Sequence, residues 1–203
     1  MKSDFNIEWS NNHDLWNIIL LPIVFITNIY LLFNWCSHNL DVFCFIFKTY
    51  LVLDLIWLIL LPQSVMNPKI IYFHHFISIM GVIVIPRLSL ELSNIICLTT
   101  LTEINTWIRL IRNRTTDFCN LILDLLFVIT WFIIRVMIGP YVFIVICKTC
   151  FIEPNTINIL LVFISFGLNV LTAIWTYQLF KNLKHKAIKY LFYENIYDEH
   201  ITL

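Results

Sequence analysis

Polar and apolar positions along this chain separate into long blocks instead of alternating, so the pattern reads as helices and not strands. Six blocks are long and apolar enough to cross roughly 30 Å of hydrocarbon. They are Leu15–Cys36, Phe43–Leu61, Ile70–Ile85, Leu88–Leu110, Leu121–Ile146 and Ile157–Phe180. The fold class expected is therefore all-α: a multi-pass integral membrane bundle of about six transmembrane helices. A polar tail, residues 1–14 with Asp4, Glu8, His13 and Asp14, precedes the first block, and a second tail covers 186–203. The first block is too long for the apolar part of a cleaved signal and is expected to stay as a span. The fifth carries Gly139-Pro140, where the missing proline N–H predicts a kink or a half-span change.

Composition agrees with the pattern. Sixty per cent of the 203 residues are hydrophobic and 13% charged, which a soluble domain of this size could not cover with a polar shell. The 13 basic residues balance 13 acidic ones, and no basic domain is present for a nucleic-acid partner. Basic residues are distributed unevenly between the two sides. Lys2, Lys69, Arg109, Arg112, Arg114, Lys181, Lys184, Lys186 and Lys189 fall on the side of the N-terminus, against Arg87 and Lys148 on the other. By the positive-inside rule both termini are expected in the cytosol. Asn113-Arg114-Thr115, the one glycosylation sequon, would then be cytosolic and unmodified. Cys36, Cys44, Cys147 and Cys150 would face the opposite side, with free thiols expected and bridges among them the alternative in an oxidising lumen.

Chemistry is best sought among polar groups inside the spans, each of which costs about 2.5–3.5 kcal/mol unless it meets a partner or a cavity. The groups are Lys48, Asp54, His74, His75, Glu91, Glu103, Asp124 and Arg135. At 1.5 Å per residue, Asp54 and Glu103 lie roughly 10 Å from the cytosolic ends of their spans, and His74 and His75 roughly 6–8 Å. This shared depth predicts one polar cavity open toward the cytosolic leaflet. Tyr50 joins it, four residues before Asp54 on the same helix face. His74 and His75 diverge by about 100°, so one is expected to face the cavity while the other orients a neighbour. Arg135 is too deep to reach an interface and needs a carboxylate, Glu103 or Asp54. The alternative is that these groups only join helices through hydrogen bonds.

Other polar positions read as structural. Lys48 can snorkel to an interface, Glu91 and Asp124 sit near span ends, and Ser165, Asn169, Thr172 and Thr176 form a helix-packing seam. Adjacent histidines cannot easily ligate one ion, so no metal is expected. The Cys147–Cys150 spacing alone is a weak redox signal. There is no glycine-rich phosphate loop or nucleophile elbow, and no cofactor is expected.

The order of these residues resembles the TLC domain. It is carried by Tyr50 and Asp54 in one span, His74-His75 opening the next, Glu103-Ile104-Asn105-Thr106-Trp107-Ile108-Arg109 closing the fourth, Arg135 with Gly139-Pro140 in the fifth, and Asn169 and Trp175 in the sixth. The resemblance covers about residues 41–185 and is closer to the smaller TLC-domain proteins than to the ceramide synthases. Ceramide synthases carry paired aspartates about thirty residues after the double histidine, whereas this chain has no Asp between Asp54 and Asp117.

The resemblance implies a protein of lipid metabolism or membrane lipid homeostasis that binds lipid in an intramembrane polar cavity lined by Tyr50, Asp54, Glu103 and Arg135. Its alternative implication is an acyl-CoA-dependent N-acyltransferase, with His74 or His75 as general base and Arg135, or Arg109, Arg112 and Arg114, holding the anionic acyl donor. Membrane lipids, with acyl-CoA in the second case, are the expected partners. The expected location is the endoplasmic reticulum or plasma membrane. An Ile- and Asn-rich composition also fits an AT-rich genome, including that of a virus using host membranes.

Overall fold

A computed structural model describes residues 2–34, 36–62, 67–115 and 118–201, with side chains from 12 to 184 among them, Phe118 apart. The described residues are helical almost throughout, without strands. In order they form α1 (Lys2–Phe33), α2 (Ser37–Leu60), α3 (Pro68–Val84), a 3₁₀ turn (Ile85–Arg87), α4 (Leu90–Cys97), a 3₁₀ segment (Leu98–Thr102), α5 (Glu103–Arg112), α6 (Phe118–Trp131), a π-helix (Phe132–Ile138), α7 (Gly139–Ile152) and α8 (Thr156–Ile201). Residues 1–169 make one compact unit, and residues 170–203 a second that carries the remainder of α8.

Five described helices are long and apolar enough to cross a membrane: Asn12–Phe33, Ser37–Leu60, Pro68–Arg87, Cys119–Ile152 and Thr156–Lys184. The chain is an all-α, multi-pass membrane bundle. The fourth apolar block differs from its expectation, since it is not one α-helix but α4, a 3₁₀ segment and α5 in succession. Its hydroxyls explain the change. Thr99 Oγ1 donates to Ile96 O at 2.7 Å and Thr100 Oγ1 to Cys97 O at 2.8 Å, drawing carbonyls away from the α-helical ladder. Asn28 of α1 donates to the same Cys97 carbonyl at 3.0 Å and to Thr100 Oγ1 at 2.6 Å, fixing the segment from outside.

Surfaces follow the logic of a lipid solvent. Large apolar side chains such as Phe132, Leu125 and Phe151 point outward, while Asn28, Asp54, His75, Glu103, Asn105 and Arg135 are buried. On α2 the buried positions Phe43, Phe47, Tyr50, Leu51, Asp54 and Leu58 recur at helical spacing, so Asp54 lies on the stripe that faces α1 and α3.

Prolines remove helical donors, and side chains replace them. Pro22 leaves the Ile18 carbonyl without its usual N–H, and Trp107 Nε1 of α5 donates to it at 3.1 Å. Pro62 likewise leaves Leu58 O to the Tyr72 hydroxyl, at 2.7 Å. Such substitutions let a bilayer helix tolerate proline. At Pro140 the answer is a register change instead. Gly139 N–H reaches back five residues to Ile134 O, closing a π-turn. The expected kink thus takes the form of a π-helix, and it presents Arg135 inward. A Cβ on Gly139 would lie 3.5 Å from Asn169 Oδ1, an ordinary contact that places Asn169 beside this segment.

Candidate functional site

The centre of the site is Asp54, 3% exposed on α2. Its Oδ1 accepts from His13 Nε2 at 2.9 Å and from Asn17 Nδ2 at 3.0 Å, both on α1. Its Oδ2 accepts from His75 Nε2 on α3 at 2.6 Å. One carboxylate therefore joins three helices, with three donors for its roughly four lone-pair sites. All four side chains are buried.

This arrangement fixes protons. Asp54 accepts from both imidazoles, so His13 and His75 carry their hydrogens on Nε2. Asn17 Nδ2 also lies 3.2 Å from His13 Nε2, but two N–H groups cannot bond each other, and the amide donation goes to Asp54. His75 Nδ1 and Asn17 Oδ1 are then buried without a hydrogen-bond partner among the described residues. The carboxylate at Nε2 thus orients the His75 ring, and its Nδ1 points away from Asp54.

Beside this clamp lies a second histidine–carboxylate pair. His74 Nε2 is 3.7 Å from Glu103 Oε1, a charge contact longer than a hydrogen bond. The rings of His74 and His75 are 5.5 Å apart. Glu103 opens α5 directly after the 3₁₀ segment, where a helix N-terminus favours negative charge. Arg135, on the π-helix that packs against that 3₁₀ segment, interacts electrostatically with Glu103 and His74. Its guanidinium carbon sits 4.6 Å from the Trp131 ring centroid. Tyr50 is buried within electrostatic range of both Asp54 and Glu103.

Every side chain selected from the sequence for the cavity, Tyr50, Asp54, His74, His75, Glu103 and Arg135, is thus drawn into one neighbourhood. The histidines share it differently from expectation: both face carboxylates, but on different helices. Of the two carboxylates proposed for Arg135, Glu103 is the one it meets, since Asp54 is filled by N–H donors. Sequence reading missed His13 and Asn17. Beginning the first span at Leu15 assigned His13 to the tail, whereas α1 runs back through it. The available signal was the i, i+4 spacing of His13 and Asn17 on one helix face.

Other polar positions play separate parts. Asp124 pairs with Arg112 at 2.9 Å near the surface, and Lys48 is exposed. In the seam, Asn169 Nδ2 donates to Ser165 O at 2.9 Å and Thr176 Oγ1 to Thr172 O at 2.7 Å. No group of three metal-ligating side chains is present among the described residues. Around Asp54 the Nε2 atoms already point N–H groups at the carboxylate.

No family model, curated protein or solved structure matches this chain. The reading of the site therefore stands on its residues and their geometry.

Proposed function

We propose that this protein acts in membrane lipid metabolism or lipid homeostasis, in the manner of the smaller TLC-domain proteins it resembles, by engaging a lipid headgroup at the Asp54–His75 site. The observation that carries the proposal is a buried carboxylate clamped by His13, Asn17 and His75 beside a second pair, His74 and Glu103. Purely structural polar groups in a bilayer are most economical as single bonds to a carbonyl, as the threonines here make. Three histidines and two carboxylates in one buried cluster, with an imidazole nitrogen of His75 unpartnered among the described residues, form more than helix joining requires. The endoplasmic reticulum, plasma membrane or a host membrane is the proposed setting.

A second reading is favoured by the tautomer of His75. A general base needs an unprotonated nitrogen and an orienting partner at the other. His75 Nδ1 and Asp54 have that relation. In an acyl transfer from acyl-CoA, Nδ1 would take the proton of an amine or hydroxyl as that nucleophile bonds to the thioester carbonyl carbon. The C–S bond then breaks, and the departing thiolate takes the proton back. Arg135 would hold negative charge nearby.

Lipid profiles of cells making the wild type or His74→Ala/His75→Ala at equal abundance test the first reading. The expected result is a profile shifted by the wild type and restored by the double variant. Labelled acyl-CoA supplied to proteoliposomes tests the second, and labelled lipid should form only with His75 intact. An unshifted profile together with no labelled product would refute both.

A further inference from the structure

A separate cavity lies well away from Asp54. It is an open cleft of about 390 Å³ where the turn between α3 and α4 meets the turn between α7 and α8, and its lining includes Arg87, Ser89, Thr149, Glu153, Thr156 and Asn158. Arg87 follows His75 by twelve residues along α3 and its 3₁₀ extension, about 18 Å at helical rise. The volume falls within the ~300–1,000 Å³ range of small-molecule sites.

Its two charges are opposite and unused. Neither Arg87 nor Glu153 enters an ion pair among the described residues, although both line this cavity. The walls around them are fixed. Ser89 caps α4 by accepting from Leu92 N–H at 3.3 Å, which leaves its hydroxyl hydrogen to donate. Asn155 Oδ1 caps α8 through Asn158 N–H at 2.9 Å, and Asn158 Nδ2 holds Glu153 O at 2.8 Å. With Pro154 between them, Glu153 and Asn155 form a short, braced turn.

Donors for an anion line this cavity from both turns. Arg87 offers a planar fork suited to phosphate oxygens, Ser89 offers its hydroxyl, and the first-turn N–H groups of Thr156 and Ile157 have no intrahelical acceptor. Glu153 supplies the complementary acceptor for a cation. Leu88, Leu92 and Ile157 add apolar lining at the ends of membrane-length helices, where an amphipathic ligand would lie.

We propose that this cavity binds a zwitterion bearing a phosphate and a primary ammonium, the chemistry of a phosphoethanolamine group, with Arg87 and Ser89 on the phosphate and Glu153 on the ammonium. The site is independent of the Asp54 cluster and of the function proposed for it.

The test measures binding of short-chain phosphatidylethanolamine, short-chain phosphatidylglycerol and free O-phosphoethanolamine to the full-length protein in neutral detergent. Phosphatidylethanolamine should bind at least tenfold more tightly than phosphatidylglycerol, which has the phosphate without the ammonium. Arg87→Gln and Glu153→Gln should each weaken binding at least tenfold with an unchanged melting temperature, Arg87→Lys should retain part of it, and His75→Ala should leave it intact. Free O-phosphoethanolamine binding within a few-fold of the lipid would support the site and identify the headgroup as sufficient. Binding of the lipid alone would support it with a contribution from the acyl chains. Equal affinity for phosphatidylglycerol, no binding of either ethanolamine probe, or full binding by both glutamine variants would overturn the proposal.

Discussion

The two histidine–carboxylate clusters of this protein pair the same kinds of group and hold them in opposite ways. Asp54 is gripped from regular α-helices by hydrogen bonds of 2.6–3.0 Å. Glu103 lies 3.7 Å from its histidine, at the junction of a 3₁₀ segment and an α-helix, opposite a π-helix that carries Arg135. The first takes three donors and positions His75. The second is a longer contact at irregular stretches of backbone, the kind of geometry that can adjust when a ligand arrives. A site that must both orient a nitrogen and admit a substrate gains from having one tight half and one adaptable half.

If that contrast is right, the largest loss of stability should come from Asp54. Asp54→Leu removes the acceptor of three buried donors, and breaking a buried pair from one side costs about 3–5 kcal/mol. Thermal and denaturant unfolding in detergent should place this variant below every other single substitution discussed.

Arg135→Leu should come next, by leaving Glu103 without its cation. Adding Glu103→Gln should restore part of the loss, with a coupling of about 0.5–3 kcal/mol in a double-mutant cycle. Asp54→Asn should give no such rescue. Rescue by Asp54 instead of Glu103 would redraw the pairing of the two halves.

Trp107→Phe probes the frame that joins α5 to α1. It removes the N–H that serves the carbonyl orphaned by Pro22, with part of the ring that packs edge-on against Phe25, and should cost about 1–3 kcal/mol. Combining it with Pro22→Ala, which gives Ile18 O a backbone donor again, should shrink the penalty. At the bottom of the scale, Asp124→Asn breaks a largely exposed pair with Arg112 and should change stability by about 1 kcal/mol or less.

Much of this was legible in the sequence, for identifiable reasons. The apolar blocks are long and their signal is additive, so five of the six expected spans and their order emerged directly, while the fourth block is divided into shorter helical pieces. Ionisable residues in apolar runs stand out because they are costly there, which is why Asp54, His74, His75, Glu103 and Arg135 could be selected and ranked by depth. The 3₁₀ break at Leu98–Thr102 was hidden, since hydropathy does not register threonine hydroxyls competing for carbonyls. Gly139-Pro140 announced a local disturbance but not its form, because the choice between a kink and a π-turn depends on what packs nearby. His13 escaped because a boundary drawn by hydropathy stops at the last apolar residue, while the helix and its burial continue.

The central claim is that the Asp54-oriented His75 acts on lipid and does more than hold helices together. It is tested most directly by measuring melting temperature and lipid profile on the same His75→Ala variant, expressed at the wild-type level. The account predicts loss of the wild-type lipid shift at a stability cost smaller than that of Asp54→Leu. A His75→Ala protein that keeps the full lipid shift, while losing as much stability as Asp54→Leu, would contradict it and leave the cluster as helix packing.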